Sequence, residues 1–185
     1  TKEKIYDFLS MVSSSESIVL LTHHRPDGDA LGSTYAMRTF LKDICGREST
    51  VVLSSPVNDS LRFILSDEDL ASTVVWDDDN EATKKLVSAA GLIICLDCAN
   101  LSRCEDVGEV TAAATARKIL IDHHLNPLED QFDLVFSEPE CVSSASELLY
   151  YIFLAVPEIG GRAEKIPAHA RRALMAGMTT DTNNF

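Results

Sequence analysis

The sequence predicts an α/β protein in which a mostly parallel β-sheet is flanked by helices. Short apolar segments rich in β-branched residues alternate along the chain with longer segments whose apolar residues recur at helical spacing. Strands that alternate with helices form βαβ units, and such units build parallel sheets. With 185 residues, of which 45% are hydrophobic, the chain is long enough to bury the core of one domain.

In the first half of the chain, the predicted strands share runs of β-branched residues, and they cover residues 17–22, 49–54 and 73–76. The predicted helices share apolar residues at helical spacing, and they cover residues 2–12, 29–44 and 61–65. Gly46 follows the second helix, as a C-terminal cap would. The acidic runs 67–69 and 77–79 are predicted to be solvated turns.

The second half of the chain continues the alternation of strands and helices. Its predicted strands cover residues 92–96 and 117–121, with an edge strand over 133–136. Its predicted helices cover residues 81–90, 107–116, 143–156 and 167–179. Asn80 is the predicted N-cap of the first of these helices, Gly91 ends that helix, and Pro167 opens the last one.

The charge and the composition exclude several classes of function. The chain carries 29 acidic and 16 basic residues, a formal net charge of −13 that argues against duplex nucleic acid as a partner. A short phosphorylated substrate held through metal ions stays compatible with this charge. No apolar run approaches the roughly 20 residues needed to cross a bilayer, and we predict no signal peptide. The five cysteines are scattered and odd in number, which favours a reducing, cytoplasmic location.

Polar side chains that can bind metal ions follow three of the predicted strands directly. They are His23, Asp27 and Asp29 after the first strand, Asp97 after the strand 92–96, and Asp122, His123 and His124 after the strand 117–121. The carboxyl ends of parallel strands form the ligand-binding edge of such a sheet. Each residue alone has a simpler explanation, and Asp29 in particular could be a helix N-cap. Together, however, these carboxylates would repel one another without a cation.

The chemical types of these ligands restrict which metal ions could bind. Mixed imidazole and carboxylate ligands suit Mn²⁺, Fe²⁺, Co²⁺ or Zn²⁺, whereas Mg²⁺ and Ca²⁺ prefer oxygen alone. About six ligands are too many for one tetrahedral zinc ion. They suit two ions roughly 3.5–4 Å apart with a bridging carboxylate, the arrangement that stabilises the attacking and leaving oxygens of phosphoryl hydrolysis.

Other sequence motifs give little evidence of function. The chain has neither a phosphate-binding P-loop nor a G-x-S-x-G nucleophile elbow. Cys95 and Cys98 form a C-x-x-C pair, but a redox pair needs an exposed first cysteine and Cys95 is predicted to lie in a buried strand. His169 is predicted to be a surface or structural histidine.

Four segments resemble the motifs of the DHH phosphoesterases. Residues 22–33 (THHRPDGDALGS) resemble the first motif, T-H-x-x-P-D-x-D-A-x-G-S, and Asp97 stands at the lone aspartate of the second. Residues 122–124 are the D-H-H motif itself, and residues 177–182 (GMTTDT) resemble the fourth motif, G-x-x-x-D-T. The variant P-D-G-D-A-x-G-S is similar to the group of oligoribonucleases and 3′-phosphoadenosine 5′-phosphate phosphatases that is also described as exopolyphosphatase-related.

The resemblance implies a Rossmann-like N-terminal DHH domain with two Mn²⁺ ions, or alternatively Mg²⁺ or Co²⁺. His23 and Asp27 would bind one ion, and Asp29, His123 and Asp181 the other, with Asp97 bridging the two. Asp122 would orient an imidazole, and His124 would face the substrate phosphate. Asp181 is predicted to be a metal ligand only because of this resemblance.

The implied activity is hydrolysis of short oligonucleotides or of 3′-phosphoadenosine 5′-phosphate, by in-line attack of a hydroxide that bridges the two ions. The alternatives are an inorganic pyrophosphatase or exopolyphosphatase with the same metal core, and a non-catalytic nucleotide-binding module. Members of the group carry a second, C-terminal DHH-associated domain, which is expected to be absent from residues 1–185. Arg25 and Arg103 are the first candidates for phosphate contacts. No membrane partner is expected, and a homodimer stays open.

Overall fold

The computed structural model describes residues 2–77 and 79–182. The strands are β1 (Ile18–Leu21), β2 (Thr50–Leu53), β3 (Thr73–Val75), β4 (Leu92–Leu96), β5 (Arg117–Asp122) and β6 (Leu134–Ser137). The helices are α1 (Lys2–Ser13), α2 (Gly28–Asp43), α3 (Asp67–Ala71), α4 (Asn80–Ser88), α5 (Glu105–Ala113), α6 (Ala145–Ala155) and α7 (Ala168–Asp181). Within this part of the chain, no helix combines the length and the apolar character needed to span a membrane.

The strands form one six-stranded sheet in the order β3-β2-β1-β4-β5-β6, and every pairing in it is parallel. The predicted α/β class with a sheet flanked by helices is therefore confirmed. This strand order is that of Rossmann-type folds, in which the chain builds one half of the sheet outward from β1 and then returns to the centre with β4. The central strands are buried on both faces, which explains their continuous apolar runs.

Two hydrophobic clusters cover the two faces of the sheet. The larger cluster packs α1, α2, α6 and α7 against one face, and it includes Leu20 and Ile94. The smaller cluster packs α4 and α5 against the other face, and it includes Val19 and Ile93. Adjacent strand residues thus enter opposite clusters, as the two-residue period of a strand requires.

Helices α2 and α7 pack in close contact through small residues. A Cβ atom at Gly28 would lie 2.1 Å from the Thr180 hydroxyl oxygen, and one at Gly32 would lie 2.5 Å from the backbone oxygen of Ala173. Only glycine therefore fits at these positions without moving α7. The contact matters for the site because Asp29 lies in the first turn of α2 and Asp181 in the last turn of α7.

The structure corrects the prediction that residues 67–69 form a solvated turn. They belong to α3, and Asp69 is fully buried. The Asp69 carboxylate accepts hydrogen bonds from Arg38 over 3.0 Å, from the backbone N–H of Ser66 over 2.8 Å and from His169 Nε2 over 2.6 Å. A cation and a helix cap thus compensate the buried charge. His169 is a structural histidine, as predicted.

Several predicted element ends differ from the structure. The N-cap of α4 is Asp79, whose carboxylate accepts from the backbone N–H of Ala82, and Asn80 is the first helical residue. Helix α5 spans Glu105–Ala113 instead of 107–116, because its first turn is acidic and carries no apolar signal. Gly46 adopts a left-handed φ of +64° beyond the C-cap Ile44. Asp77 is exposed, and Asp78 lies outside the described residues.

Candidate metal centre

The candidate site lies at the centre of the sheet, at the carboxyl ends of β1 and β4. The chain leaves β1 toward one edge of the sheet and returns through β4, so the connections that follow these neighbouring strands run in opposite directions. Such a switch point opens a crevice for ligands. Three groups of side chains that could hold a metal ion meet there, and within each group the ligand atoms lie within 4.8 Å of one another.

The first group consists of His23, Asp27 and Asp97. His23 Nε2 lies 3.7 Å from Asp27 Oδ2 and 3.6 Å from Asp97 Oδ2. The other ring nitrogen, Nδ1, donates a hydrogen bond of 2.8 Å to the backbone oxygen of His24, which leaves Nε2 directed at the carboxylates. Asp27 is also the N-cap of α2, since its Oδ1 accepts from the backbone N–H of Ala30. The N-cap role considered for Asp29 therefore belongs to Asp27.

The second group consists of Asp29, His123 and Asp181. His123 Nε2 lies 3.8 Å from Asp29 Oδ2 and 3.7 Å from Asp181 Oδ2. It also lies 3.4 Å from Asp97 Oδ1. Helices α2 and α7 and the segment that follows β5 thus each bring one side chain to this group. The segment that follows β4 places a third carboxylate, that of Asp97, next to it.

Asp97 lies between the two groups and contacts both. Its backbone has a left-handed φ of +55°, which aspartate adopts more readily than most residues, while its N–H still donates to the oxygen of Ile121. The side chain is turned into the crevice and is only 2% exposed. Its Oδ1 has no hydrogen-bond partner among the described residues. A buried carboxylate oxygen without a partner costs free energy, and a bound cation would remove this cost.

Asp122, His124 and Arg103 form a hydrogen-bonded chain beside these groups. His124 Nδ1 bonds to Asp122 Oδ1 over 2.8 Å, and Arg103 Nη1 lies 3.1 Å from His124 Nε2. Because a guanidinium can only donate, Nε2 accepts, and His124 is the neutral tautomer with its proton on Nδ1. Asp97, His123 and His124 form the third group of potential ligands, but both ring nitrogens of His124 are engaged. The third group is therefore the least suited to a cation.

A family comparison identifies this arrangement. The model for the N-terminal domain of the DHH family matches residues 17–178. The chain belongs to the DHH family. The DHH residues are Asp122, His123 and His124, and the structure places all three at the candidate site, together with the other predicted metal ligands.

Two curated proteins and one crystal structure show which proteins this chain resembles within the DHH family. The chain is 28% identical over 179 residues to the bifunctional oligoribonuclease and PAP phosphatase NrnA of Bacillus subtilis, covering 97% of this chain and 50% of that protein. It is 28% identical over 178 residues to a probable protein of the same name from Streptococcus mutans, covering 96% and 49%. It thus spans about half the length of these curated relatives. A crystal structure of an exopolyphosphatase-related protein from Bacteroides fragilis is 31% identical, with a TM-score of 0.87 over all of this chain and 52% of that one.

The electrostatics of the DHH site favour the protonated forms of His23 and His123. Burial opposes the protonation of His23, but hydrogen bonds to Asp27 and Asp97 outweigh burial and raise its pKa to about 10. Burial opposes the protonation of His123 as well, and Asp97 raises the pKa of His123 to about 9. Burial and the neighbouring charge of Asp97 raise the pKa of Asp29 to about 6. A cation that uses these ligands must displace their protons.

The residues present fit divalent cations. Each of the first two groups offers an imidazole nitrogen and carboxylate oxygens, a donor set that suits Mn²⁺, Co²⁺ or Zn²⁺. The Nδ1 hydrogen bond of His23 and the unsatisfied Oδ1 of Asp97 both leave ligand atoms directed at the crevice.

The first turn of α6 is a part of the site that the motifs do not reveal. The backbone N–H groups of Ala145 and Ser146 donate to the two carboxylate oxygens of Asp29 over 2.7 and 2.9 Å. They hold a buried carboxylate at the positive end of the α6 dipole. The sequence signal for this helix start is the pair Ser144 and Glu147, where the Ser144 hydroxyl accepts from the Glu147 N–H.

Proposed function

We propose that this chain is the catalytic DHH domain of a metal-dependent phosphoesterase that hydrolyses short oligoribonucleotides and 3′-phosphoadenosine 5′-phosphate. The observation that carries the proposal is the position of Asp97 between two groups of potential ligands, each with its own imidazole. The names of the two NrnA relatives support the substrate class. The net charge of −13 is consistent with a small substrate held through cations and disfavours duplex DNA.

The proposed ligand set follows the two groups. His23 and Asp27 would hold one cation and Asp29, His123 and Asp181 the other, with Asp97 shared. When bound, two such cations polarise the phosphoryl oxygens and lower the pKa of water. Mn²⁺ is the proposed metal, with Mg²⁺ and Co²⁺ as alternatives.

His124 and Asp122 are the proposed catalytic pair. Asp122 holds the imidazole with its proton on Nδ1, and Arg103 donates a hydrogen bond to Nε2. A substrate phosphate attracts the guanidinium of Arg103, which frees Nε2 of His124 to take up the proton that the attacking water loses. Asp122 then stabilises the imidazolium, and His124 can donate that proton to an oxygen of the phosphate or of the leaving group. Arg103 therefore acts on the substrate and on the protonation of His124.

We also propose that residues 1–185 work together with a second domain. The chain spans about half of the length of the NrnA relatives. A second domain would bind the part of a substrate that lies beyond the nucleoside next to the reacting phosphate. Remote binding energy raises turnover as well as affinity. The chain alone should therefore hydrolyse a dinucleotide more slowly than a protein that also carries the second domain. Equal kcat/KM would contradict the second-domain proposal.

Phosphate or nucleotide release from a substrate panel tests the function. With Mn²⁺ we expect hydrolysis of a diribonucleotide and of 3′-phosphoadenosine 5′-phosphate, and little hydrolysis of pyrophosphate or polyphosphate. Preferential hydrolysis of pyrophosphate would instead favour the polyphosphatase function that the name of the Bacteroides fragilis structure suggests. Metal binding without hydrolysis of any member of the panel would favour a binding module.

A further inference from the structure

A groove of about 510 Å³ opens beside the candidate metal centre. It lies between the loop that follows β1 and the segment that follows β2, and these strands are neighbours in the sheet. Its lining includes Arg25, Pro26, Asp27, Pro56, Asn58 and Leu61. Because Asp27 belongs to the first ligand group, a molecule in this groove would lie directly beside a phosphate bound at the centre.

The side chain of Arg25 is free to contact a ligand. Its guanidinium makes no hydrogen bond or ion pair with the described residues, although the chain carries 29 carboxylate side chains. The backbone of Arg25 is held in a left-handed conformation, with φ +52°, and its N–H donates to the Ser55 hydroxyl over 2.8 Å. The residue therefore has a fixed backbone and contributes an unengaged planar cation to the lining of the groove.

We propose that this groove holds the nucleoside next to the reacting phosphate, with the Arg25 guanidinium stacked on its base. The proposal rests on the phosphoesterase function proposed above and names the part of the substrate that this domain recognises. Guanidinium planes stack on unpaired bases, and proline and leucine side chains give apolar contact. Asn58 Oδ1 already accepts from the backbone N–H and the hydroxyl of Ser60, which leaves the Asn58 amide NH₂ to donate to a base edge.

The lining favours a base over a second phosphate. A phosphate in this groove would meet a single cation and the carboxylate of Asp27, which would repel it. Apart from Arg25, only the Ser55 hydroxyl and the Asn58 amide could donate to it, and the two prolines and the leucine could not. A base is uncharged, so Asp27 does not repel it, and its faces are apolar enough to lie against Pro56 and Leu61.

Calorimetric titration of the Mn²⁺-loaded chain with AMP and with ribose 5-phosphate tests the subsite, because the two ligands differ only in the base. We expect AMP to bind at least tenfold more tightly. Arg25→Ala should weaken AMP binding about tenfold, which corresponds to about 1.4 kcal/mol, and should change ribose 5-phosphate binding less than twofold. The matched control is Arg62→Ala, which removes the same charge from an exposed side chain that pairs with Asp59 and does not line the groove.

Arg25→Lys separates stacking from charge. It keeps the cation but lacks the planar guanidinium, so it should lose nearly as much AMP affinity as Arg25→Ala. Thermal melts of each variant verify that it is folded. Equal affinity of the original chain for the two ligands, absence of binding of both, or an equal loss of both in Arg25→Ala would overturn the proposal. Phosphate release is measured in a separate assay, so the two proposals can fail independently. If AMP binding depends on the base but the chain hydrolyses no substrate, the proposed function is refuted and the nucleoside subsite is still supported.

Discussion

Replacing Gly32 with alanine tests the packing of α2 on α7, which sets the spacing of Asp29 and Asp181. A Cβ atom at position 32 would lie 2.5 Å from the backbone oxygen of Ala173 and 2.9 Å from the Cα of Gly177. Both are backbone atoms, so the two helices would have to separate by about 0.9 Å to restore ordinary van der Waals contact. Overpacking costs about 1–3 kcal/mol, and alanine recovers up to about 1 kcal/mol of helix propensity. The expected loss is about 1–2 kcal/mol, or roughly 2–8 °C in Tm.

The same separation should weaken the second cation site. Asp29 and Asp181 approach His123 Nε2 to 3.8 and 3.7 Å from the two different helices. Metal–ligand distances tolerate shifts of only about 0.2 Å, so we expect the Mn²⁺ affinity of this site to fall about tenfold in a calorimetric titration. The control is Gly91→Ala, whose Cβ would meet its nearest atom at 3.4 Å and should change stability by less than about 0.5 kcal/mol. A Gly32→Ala protein with unchanged Tm and unchanged Mn²⁺ affinity would refute this reasoning.

Four further predictions concern the side chains of the site. Asp97→Asn should reduce phosphoesterase turnover at least about a hundredfold and weaken both Mn²⁺ sites in a titration, whereas loss of one site alone would show that the carboxylate is not shared. His124→Ala should lower kcat by about 10²–10⁴-fold and leave the Mn²⁺ affinity unchanged, whereas His123→Ala should weaken Mn²⁺ binding. An equal loss of Mn²⁺ affinity in both variants would contradict their separate roles. Because His23 must lose a proton from a pKa of about 10, Mn²⁺ affinity of the first site should rise about tenfold per pH unit between pH 7 and 9, and a flat profile would contradict this linkage. Without metal, the raised pKa of His23 stabilises the fold fully below pH 6.5, and chemical denaturation should show this contribution lost as the pH rises through about 10.

The sequence predicts the sheet and most of the site because both depend on local patterns. Buried parallel strands appear as continuous apolar runs, and the residues that follow them must meet at one edge. His23, Asp97 and His123 could therefore be placed together before the structure was known. Asp181 could not be placed in this way, because it lies at the end of a helix whose packing partner is set by distant glycines. Only the resemblance to the DHH motifs identified it.

Tertiary contacts account for what the sequence did not predict. Asp69 belongs to an acidic run that looks solvated, and its burial depends on Arg38 and His169, 31 and 100 residues away along the chain. The contact between Arg103 and His124 likewise joins a short 3₁₀ helix after β4 to the segment after β5. Local propensity carries no information about such partners, because each residue alone is equally compatible with an exposed turn.

Anomalous scattering from Mn²⁺-soaked crystals of this chain, grown near pH 8, would show whether two cations share Asp97. We predict two Mn²⁺ peaks with the Asp97 carboxylate between them, one next to His23 and Asp27 and the other next to His123 and Asp181. A single ion held without Asp97, in crystals whose Mn²⁺ content is verified by fluorescence, would contradict it.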